Sequence, residues 1–225
     1  MQRIHVICEG QTEEMFVNEV MSEYFLYRGV YLQPALVGKP GHKGGNVQFQ
    51  RVLRDVELRL LGDTDAYCTT FLDFYGLPTN FPGKADALPL TELAAKSQAM
   101  HDGFSQQLEH HLGSNAMRRF IPYIQFYEFE GLLFSEPHTL AVESGHFELA
   151  DALQAIRDQF ASPEHINNDP SSAPSKRILA LMAGYDKVTT GSLVALETGL
   201  ECMRSECSLF NRWVESLLAV TESPA

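Results

Sequence analysis

The sequence predicts an α/β protein: a mainly parallel four-stranded sheet with helices on both faces, followed by a helical carboxyl-terminal extension. Three observations carry that expectation. Over residues 1–126, short apolar runs rich in β-branched and aromatic residues alternate with longer amphipathic segments, the order of strands joined by crossover helices. Clusters of Gly and Pro punctuate the boundaries. Beyond residue 126 the strand-like runs stop, so residues 127–225 read as helices packed on the 1–126 core.

Taken in order, residues 3–8 (RIHVIC) form a buried strand ending at Glu9-Gly10. A helix follows. Thr12 is a candidate N-cap, Glu13 and Glu14 fall in the first turn, where acids suit the positive helix end, and Phe16, Val20 and Phe25 recur at helical spacing. Gly29 ends it. Residues 30–37 (VYLQPALV) are extended, with Pro34 marking a bend or an edge position. A glycine-rich loop over residues 39–45 leads to a second helix over residues 47–61, whose apolar stripe is Val52, Leu53, Val56, Leu60 and Leu61. Residues 66–74 (AYCTTFLDF) give a third strand, residues 77–84 a loop with two prolines, residues 90–111 a helix, and residues 119–126 (RFIPYIQF) a short fourth strand. In the extension, helical segments are expected over residues 129–134, 147–160, 176–182 and 192–220, the last broken near Ser205, with a turn-rich stretch over residues 162–174.

Composition narrows the function classes. With 44% hydrophobic and 20% charged side chains, 225 residues support one compact core, or one core carrying a second lobe. The formal charge is −12, and since residues 1–60 hold seven bases and seven acids, the whole excess lies in residues 61–225. That argues against coating nucleic acid or an anionic membrane by bulk electrostatics, and leaves the amino-terminal quarter as the less repulsive end for a phosphate. A metal-bridged anionic substrate stays open. Four cysteines without a CxxC pair make no disulfide framework, and Cys202 and Cys207 suit buried small apolar side chains. The first residues are too short an apolar run for a signal peptide and nothing approaches the ~18 residues of a membrane span, which predicts a soluble, cytoplasmic chain with no membrane contact.

In doubly wound sheets, ligands gather at the carboxyl ends of parallel strands. Glu9 follows the first strand and Asp73 ends the third, so the fold brings two carboxylates from distant positions to one edge. Oxygen ligands there suit Mg²⁺ or Mn²⁺, and Glu13, four residues after Glu9, can face the same cation. For Glu13 the alternative is simple helix-dipole placement, a role that Glu14 fits better. Further carboxylates come from Glu128 and Glu130: in an extended segment they share a face, whereas in a helix they splay and only one reaches the edge. Glu130 is favoured, because its apolar neighbours make an unpaired acid costly to bury; an exposed acid at a helix start is the alternative. Phosphate-binding candidates are Lys39 and Lys43 in the glycine-rich loop, Lys176 at a helix start and Lys187 after Tyr185-Asp186. A solvated loop and surface cations are the plainer readings of these four. GxxxxGK[ST] is absent, so there is no P-loop. His101, His110 and His111 fall on a solvent-facing helix with poor zinc geometry, and Trp213 reads as a core or interface anchor.

Ile7-Cys8-Glu9-Gly10-Gln11-Thr12-Glu13-Glu14 resembles the strand-then-EGxTE entry of TOPRIM domains, especially those of the overcoming-lysogenisation-defect (OLD) nucleases. A wider set of segments (CEGQTEEMFV, TTFLDFYGLPTNFPG, FYEFEGLLFSEP, SPEHINNDPSSAPSK and Tyr185-Asp186-Lys187) is similar to the bacterial domain-of-unknown-function family 4276, over most of the chain. The resemblance implies a parallel four-stranded core and divalent-metal-dependent making or breaking of phosphodiester bonds in DNA or RNA. In that pattern Glu9 matches the general acid or base, Glu13 the second acid of OLD-type enzymes, and Asp73 the first member of an acid-x-acid metal motif. The second member is Tyr75 here, so Glu128 or Glu130 has to substitute. OLD-type proteins are often coupled to an ABC-type ATPase, which this chain lacks, so the resemblance implies a separately encoded ATPase partner in a phage-defence or mobile-element setting. The expected function is thus a TOPRIM-type nuclease or related phosphodiester-processing enzyme. The alternative is a non-catalytic or latent subunit that docks on the ATPase.

Overall fold

The computed structural model describes residues 1–38, 47–166 and 172–221. Strands β1 (Gln2–Cys8), β2 (Val30–Leu36), β3 (Tyr67–Asp73), β4 (Phe120–Ile121) and β5 (Ile124–Gln125) form one sheet in the order β2-β1-β3-β4, with β5 also paired to β3, and every pairing is parallel. The central strand β1 carries Ile4, Val6 and Cys8 on one face and Ile7 on the other, as the two-residue period requires. Both faces are buried, the condition for an all-parallel sheet. Pro34 is tolerated because β2 is the edge strand, where a missing N–H breaks no ladder on the outer side.

The first helical segment runs as α1 (Gln11–Phe16), a π-helical turn (Val17–Met21) and α2 (Ser22–Leu26). Its N-cap is Gly10, not Thr12. The reason is Glu13, whose Oε2 accepts the Gly10 N–H at 2.9 Å and so starts the helix at the end of β1. Helices α3 (Phe49–Gly62), α4 (Lys84–Ala87), α5 (Leu93–Leu112) and α6 (Ser114–Met117) complete the alternating half. His101 on α5 is half-buried rather than solvent-facing, with its Nε2 enclosed and lacking a hydrogen-bond partner, whereas His110 and His111 are exposed.

The expected fourth strand is instead two short ones, β4 and β5, separated by Pro122-Tyr123. Pro122 has no N–H to give to the ladder. Two threonines of β3 fill the interruption: Thr69 Oγ1 donates to Ile121 O and Thr70 Oγ1 to Tyr123 O, both at 2.7 Å.

The remaining helices are α7 (Glu130–Leu133), α8 (Pro137–Glu143), α9 (Ala150–Arg157), α10 (Pro174–Leu181), α11 (Thr189–Thr198), α12 (Leu200–Glu206) and α13 (Ser208–Leu218). The long final helix expected from sequence starts three residues earlier and breaks at Gly199 and Cys207 rather than at Ser205. These helices contribute Phe129, Leu132, Phe210, Trp213 and Leu217 to the same apolar cluster as Ile4, Val6 and Phe71, so the carboxyl-terminal half closes one face of the sheet. α3 and α5 close the other. Trp213 is the anchor of the first face, stacked on Tyr123 with ring centroids 4.2 Å apart and its Nε1 donating to Thr69 Oγ1 at 2.8 Å. Among the described residues, no helix is long and apolar enough to cross a membrane.

Glu164, in the single turn Pro163–His165, is fully buried and caps α13 from a distance: its two carboxylate oxygens accept the N–H groups of Leu209 (2.9 Å) and Phe210 (2.8 Å). A charged acceptor at a helix start offsets the helix dipole and satisfies amides that have no other partner. Glu164→Ala is expected to lower stability by about 2–3 kcal/mol, the cost of leaving two buried donors unpaired. Urea denaturation checks this through a lower midpoint at unchanged m-value.

Candidate functional site

The carboxyl ends of β1 and β3, the start of α1, the start of α7 and the turn before α11 meet at one point. Each element delivers a charged side chain. β1 is followed directly by Glu9, whose Oε2 accepts the Asp73 N–H at 2.9 Å. Glu13 is fixed on the first turn of α1 by its capping bond to Gly10, which turns its other oxygen inward. Asp73 closes β3, and Glu130 opens α7 with 1% exposure. Lys187 enters from the turn ahead of α11, which Asp186 fastens by accepting the Thr189 N–H at 2.6 Å.

The Lys187 ammonium lies 3.2 Å from Glu130 Oε2, 3.4 Å from Asp73 Oδ2 and 3.8 Å from Glu13 Oε1. It cannot satisfy them all. Glu13 Oε1, Asp73 Oδ1 and Glu130 Oε2 are buried without a hydrogen bond, so the contacts to Glu13 and Glu130 are ion pairs off the hydrogen-bonding direction. One cation thus faces three acids, with Glu9 beside them as a fourth. Burial pushes Asp73 and Glu130 above the ordinary carboxylate range, with Lys187 pulling them back. Burial opposes the Lys187 charge as well, yet Asp73, Glu130 and Glu13 together hold it well above its usual value. The hydroxyl of Tyr185, also buried without a partner, is pushed upward by burial and then by the charge of Glu130.

Glu9 differs from the other three. Burial raises it to about 7, against the opposing Asp73 N–H bond, and it lies outside the 4 Å shell of Lys187. Its Oε1 lies over Gly76, where an added Cβ would come within 2.6 Å of it. The turn carrying Gly76 is pinned by Lys84, a buried lysine whose Nζ donates to Phe74 O at 2.8 Å and to Leu77 O. Burial lowers Lys84, and Glu9 partly restores it. Gly76→Ala should push the Glu9 carboxyl outward and return its midpoint from about 7 toward the usual carboxylate range. Global stability should change by less than about 1 kcal/mol, because the displaced group is a side-chain end. Carboxyl ¹³C NMR titration of the cation-free protein reads both values; an unmoved Glu9 midpoint would refute the contact.

Of the residues singled out from sequence, the structure brings Glu9, Glu13, Asp73, Glu130 and Lys187 together. Glu128 is buried nearby, but its Oε2 accepts the Ser175 N–H at 3.0 Å, so it fastens the start of α10. Tyr75 donates its N–H to Tyr127 O and supplies no acid. Lys176 is exposed on α10. Lys39 and Lys43 lie outside the described residues. Sequence reading misses Lys84, because a lone lysine after a Pro-Gly pair looks like a loop cation; its one signal is the apolar company of Phe81, Ala87 and Leu88. It also misses Glu164, buried in a stretch that reads as turn.

The donor set is all carboxylate, the type that hard divalent cations select, and three of its oxygens lack hydrogen bonds. As the side chains stand, no group of three or more His, Cys, Asp or Glu among the described residues is arranged to hold a metal ion. The ammonium of Lys187 sits among the acids instead. Fold and site therefore define a parallel α/β protein with an acidic, lysine-neutralised cluster at the carboxyl edge of its sheet. Residues 8–218 match the family described as Domain of unknown function (DUF4276), and the chain belongs to that family. Comparison with curated proteins and with solved structures finds no match.

Proposed function

We propose that this chain is a TOPRIM-type, Mg²⁺- or Mn²⁺-dependent phosphodiester-processing enzyme, a nuclease acting on DNA or RNA in the cytoplasm. The observation that carries the reading is the convergence of Glu9, Glu13, Asp73 and Glu130 on one strand edge, with three buried carboxylate oxygens unsatisfied and one ammonium among them. Glu13, Asp73 and Glu130 would hold the cation, with Glu9 at its side. When bound, the cation supplies charge neutralisation and polarisation of the phosphate. Glu9 serves as general base or acid through Oε1, since Oε2 is engaged by the Asp73 N–H, and a midpoint of about 7 suits proton exchange near neutral pH. Gly76 leaves room at that oxygen, and Lys84 keeps the turn beneath it in place. Lys187 balances the acids in the cation-free protein and, released from them, would pair with a phosphate oxygen.

Because the chain is strongly acidic, substrate capture is assigned to the cation together with a separately encoded ABC-type ATPase partner, in a phage-defence or mobile-element setting. The test is cleavage of DNA and RNA with Mn²⁺, with and without the ATPase, alongside calorimetric Mn²⁺ titration. Glu9→Gln should lower cleavage by about 10²-fold or more with folding retained. Absence of cleavage together with absence of Mn²⁺ binding would sink the reading.

Two observations favour a second reading, a latent subunit that docks on the ATPase. Lys187 already sits among the acids, and Tyr75 stands where the resembled motif has its second acid. If Glu9→Gln leaves every function of the complex unchanged, the docking role is the correct one.

A further inference from the structure

A cavity lies apart from the acidic cluster, where β4 meets α5 and α13. Its volume is about 250 Å³, and its sheet wall, Ile121 to Tyr123, begins opposite Thr69, four residues before Asp73 on β3. That places the Ile121 end of the wall roughly 13 Å along the strand from Asp73, with Tyr123 nearer to it. The walls are of two kinds. Pro122, Tyr123 and Trp213 give a rigid apolar side, fixed by the Tyr123–Trp213 stack and by the bond of the indole N–H to Thr69. Arg212 and His101 give the polar side. Among the described residues the Arg212 guanidinium makes no ion pair or hydrogen bond, and the buried His101 Nε2 has no partner.

We infer that this cavity is a binding site for a small carboxylate with a compact apolar body, independent of the acidic cluster. Among the described residues Arg212 is the only cation lining it, because burial holds His101 down at about 4 and so uncharged at neutral pH. A single guanidinium matches one carboxylate in bidentate fashion, whereas a phosphate dianion would be left with an uncompensated charge in an acidic protein. The Gln98 amide donates to Asp102 at 2.8 Å and the Ser216 hydroxyl to Arg212 O, so the charge available to a ligand comes from Arg212, with His101 Nε2 and the Ser97 hydroxyl beside it. The volume is that of roughly eight waters, room for a ligand on the order of ten non-hydrogen atoms. For so small a ligand, affinity in the millimolar range is expected.

The test uses the single tryptophan of the chain, whose one indole N–H cross-peak in a ¹⁵N spectrum reports from the cavity wall. Titration with benzoate should shift that peak saturably, with a dissociation constant of about 1 mM. Benzamide, which keeps the ring and loses the charge, and inorganic phosphate should bind at least about tenfold more weakly. Arg212→Gln, an exposed helix position, should weaken benzoate to the same degree, while Glu9→Gln should leave it unchanged. No saturable shift with benzoate, equal binding of benzamide or phosphate, or an unaffected Arg212→Gln protein would each overturn the assignment.

Discussion

Lys187→Met is expected to lower the stability of the cation-free protein by about 2–3 kcal/mol at pH 8, a drop in melting temperature of about 5–10 °C for a chain of this size. Removing one partner of a buried ion pair costs about 3–5 kcal/mol, and the lower figure allows for the 40% exposure of the Lys187 side chain. Methionine keeps the stem and removes the charge, so the loss reports on Glu13, Asp73 and Glu130 left facing one another. The effect has a definite pH sign. Without the ammonium the acids relieve their repulsion by taking up protons, so the variant should approach the wild type as pH falls toward 5. Glu9 acts in the same sense in the wild type. Its midpoint rises from 4.5 to about 7 on folding, so its folded form holds a proton that the unfolded chain releases. That contribution is complete below pH 4.5 and lost as pH rises through 7, by at most about 3 kcal/mol. Mn²⁺ should restore the variant more than it stabilises the wild type, because no ammonium then competes for the carboxylates. Melting curves between pH 5 and 8, with and without Mn²⁺, measure all of this; a variant as stable as wild type at pH 8 would show that the cluster is not held by Lys187.

Gly103→Ala should destabilise the protein by about 2–3 kcal/mol, against the usual rule for a glycine inside a helix. On an open face of α5 the change would add about 1 kcal/mol through helix propensity. Here the new Cβ would lie 2.5 Å from both Cα and N of Gly83, backbone that cannot swing aside. Gly83 cannot yield easily, for it holds φ +83° and its own added Cβ would strike Ala99 O at 2.6 Å. Overpacking of this kind costs about 1–3 kcal/mol and more where backbone must shift. The contact also bears on the site, because Gly83 immediately precedes Lys84, which pins the turn under Glu9. Urea denaturation gives the stability change, and the Glu9 titration midpoint should move with it. A stabilised Gly103→Ala protein would mean that α5 and the loop do not approach so closely.

Much of the site's chemistry was legible because it depends on chain-local signals. Glu9 and Asp73 were marked by standing at the ends of apolar runs, and a parallel sheet sends such ends to one edge. Glu13 is marked by its spacing from Glu9, but local pattern points to Thr12 as the N-cap and so hides the bond from Gly10 N–H that fixes the Glu13 direction. The choice between Glu128 and Glu130 depended on whether the segment was extended or helical. The helix begins at Glu130, and the two acids part: Glu130 goes to Lys187 and Glu128 to the Ser175 N–H. Lys187 was one of four candidate cations with nothing local to rank it above Lys176. Its place is set by long-range closure, 114 residues from Asp73.

The parallel α/β half, the helical character of the second half and the residue types available at the strand ends are written in the chain itself, whereas Pro34 leaves a bend and an edge strand equally open. Those follow from periodicity, β-branching and Gly-Pro punctuation, which act over a few residues. The tertiary structure alone decided which charges meet. It split the fourth strand at Pro122, enclosed His101 Nε2, buried Glu164, set Lys84 beneath the Glu9 turn, and placed a single ammonium among three buried acids. The physical reason is that burial and charge pairing are properties of the assembled core. A carboxylate's neighbours in space, which set its proton affinity and its need for a cation, come from segments that no local pattern links.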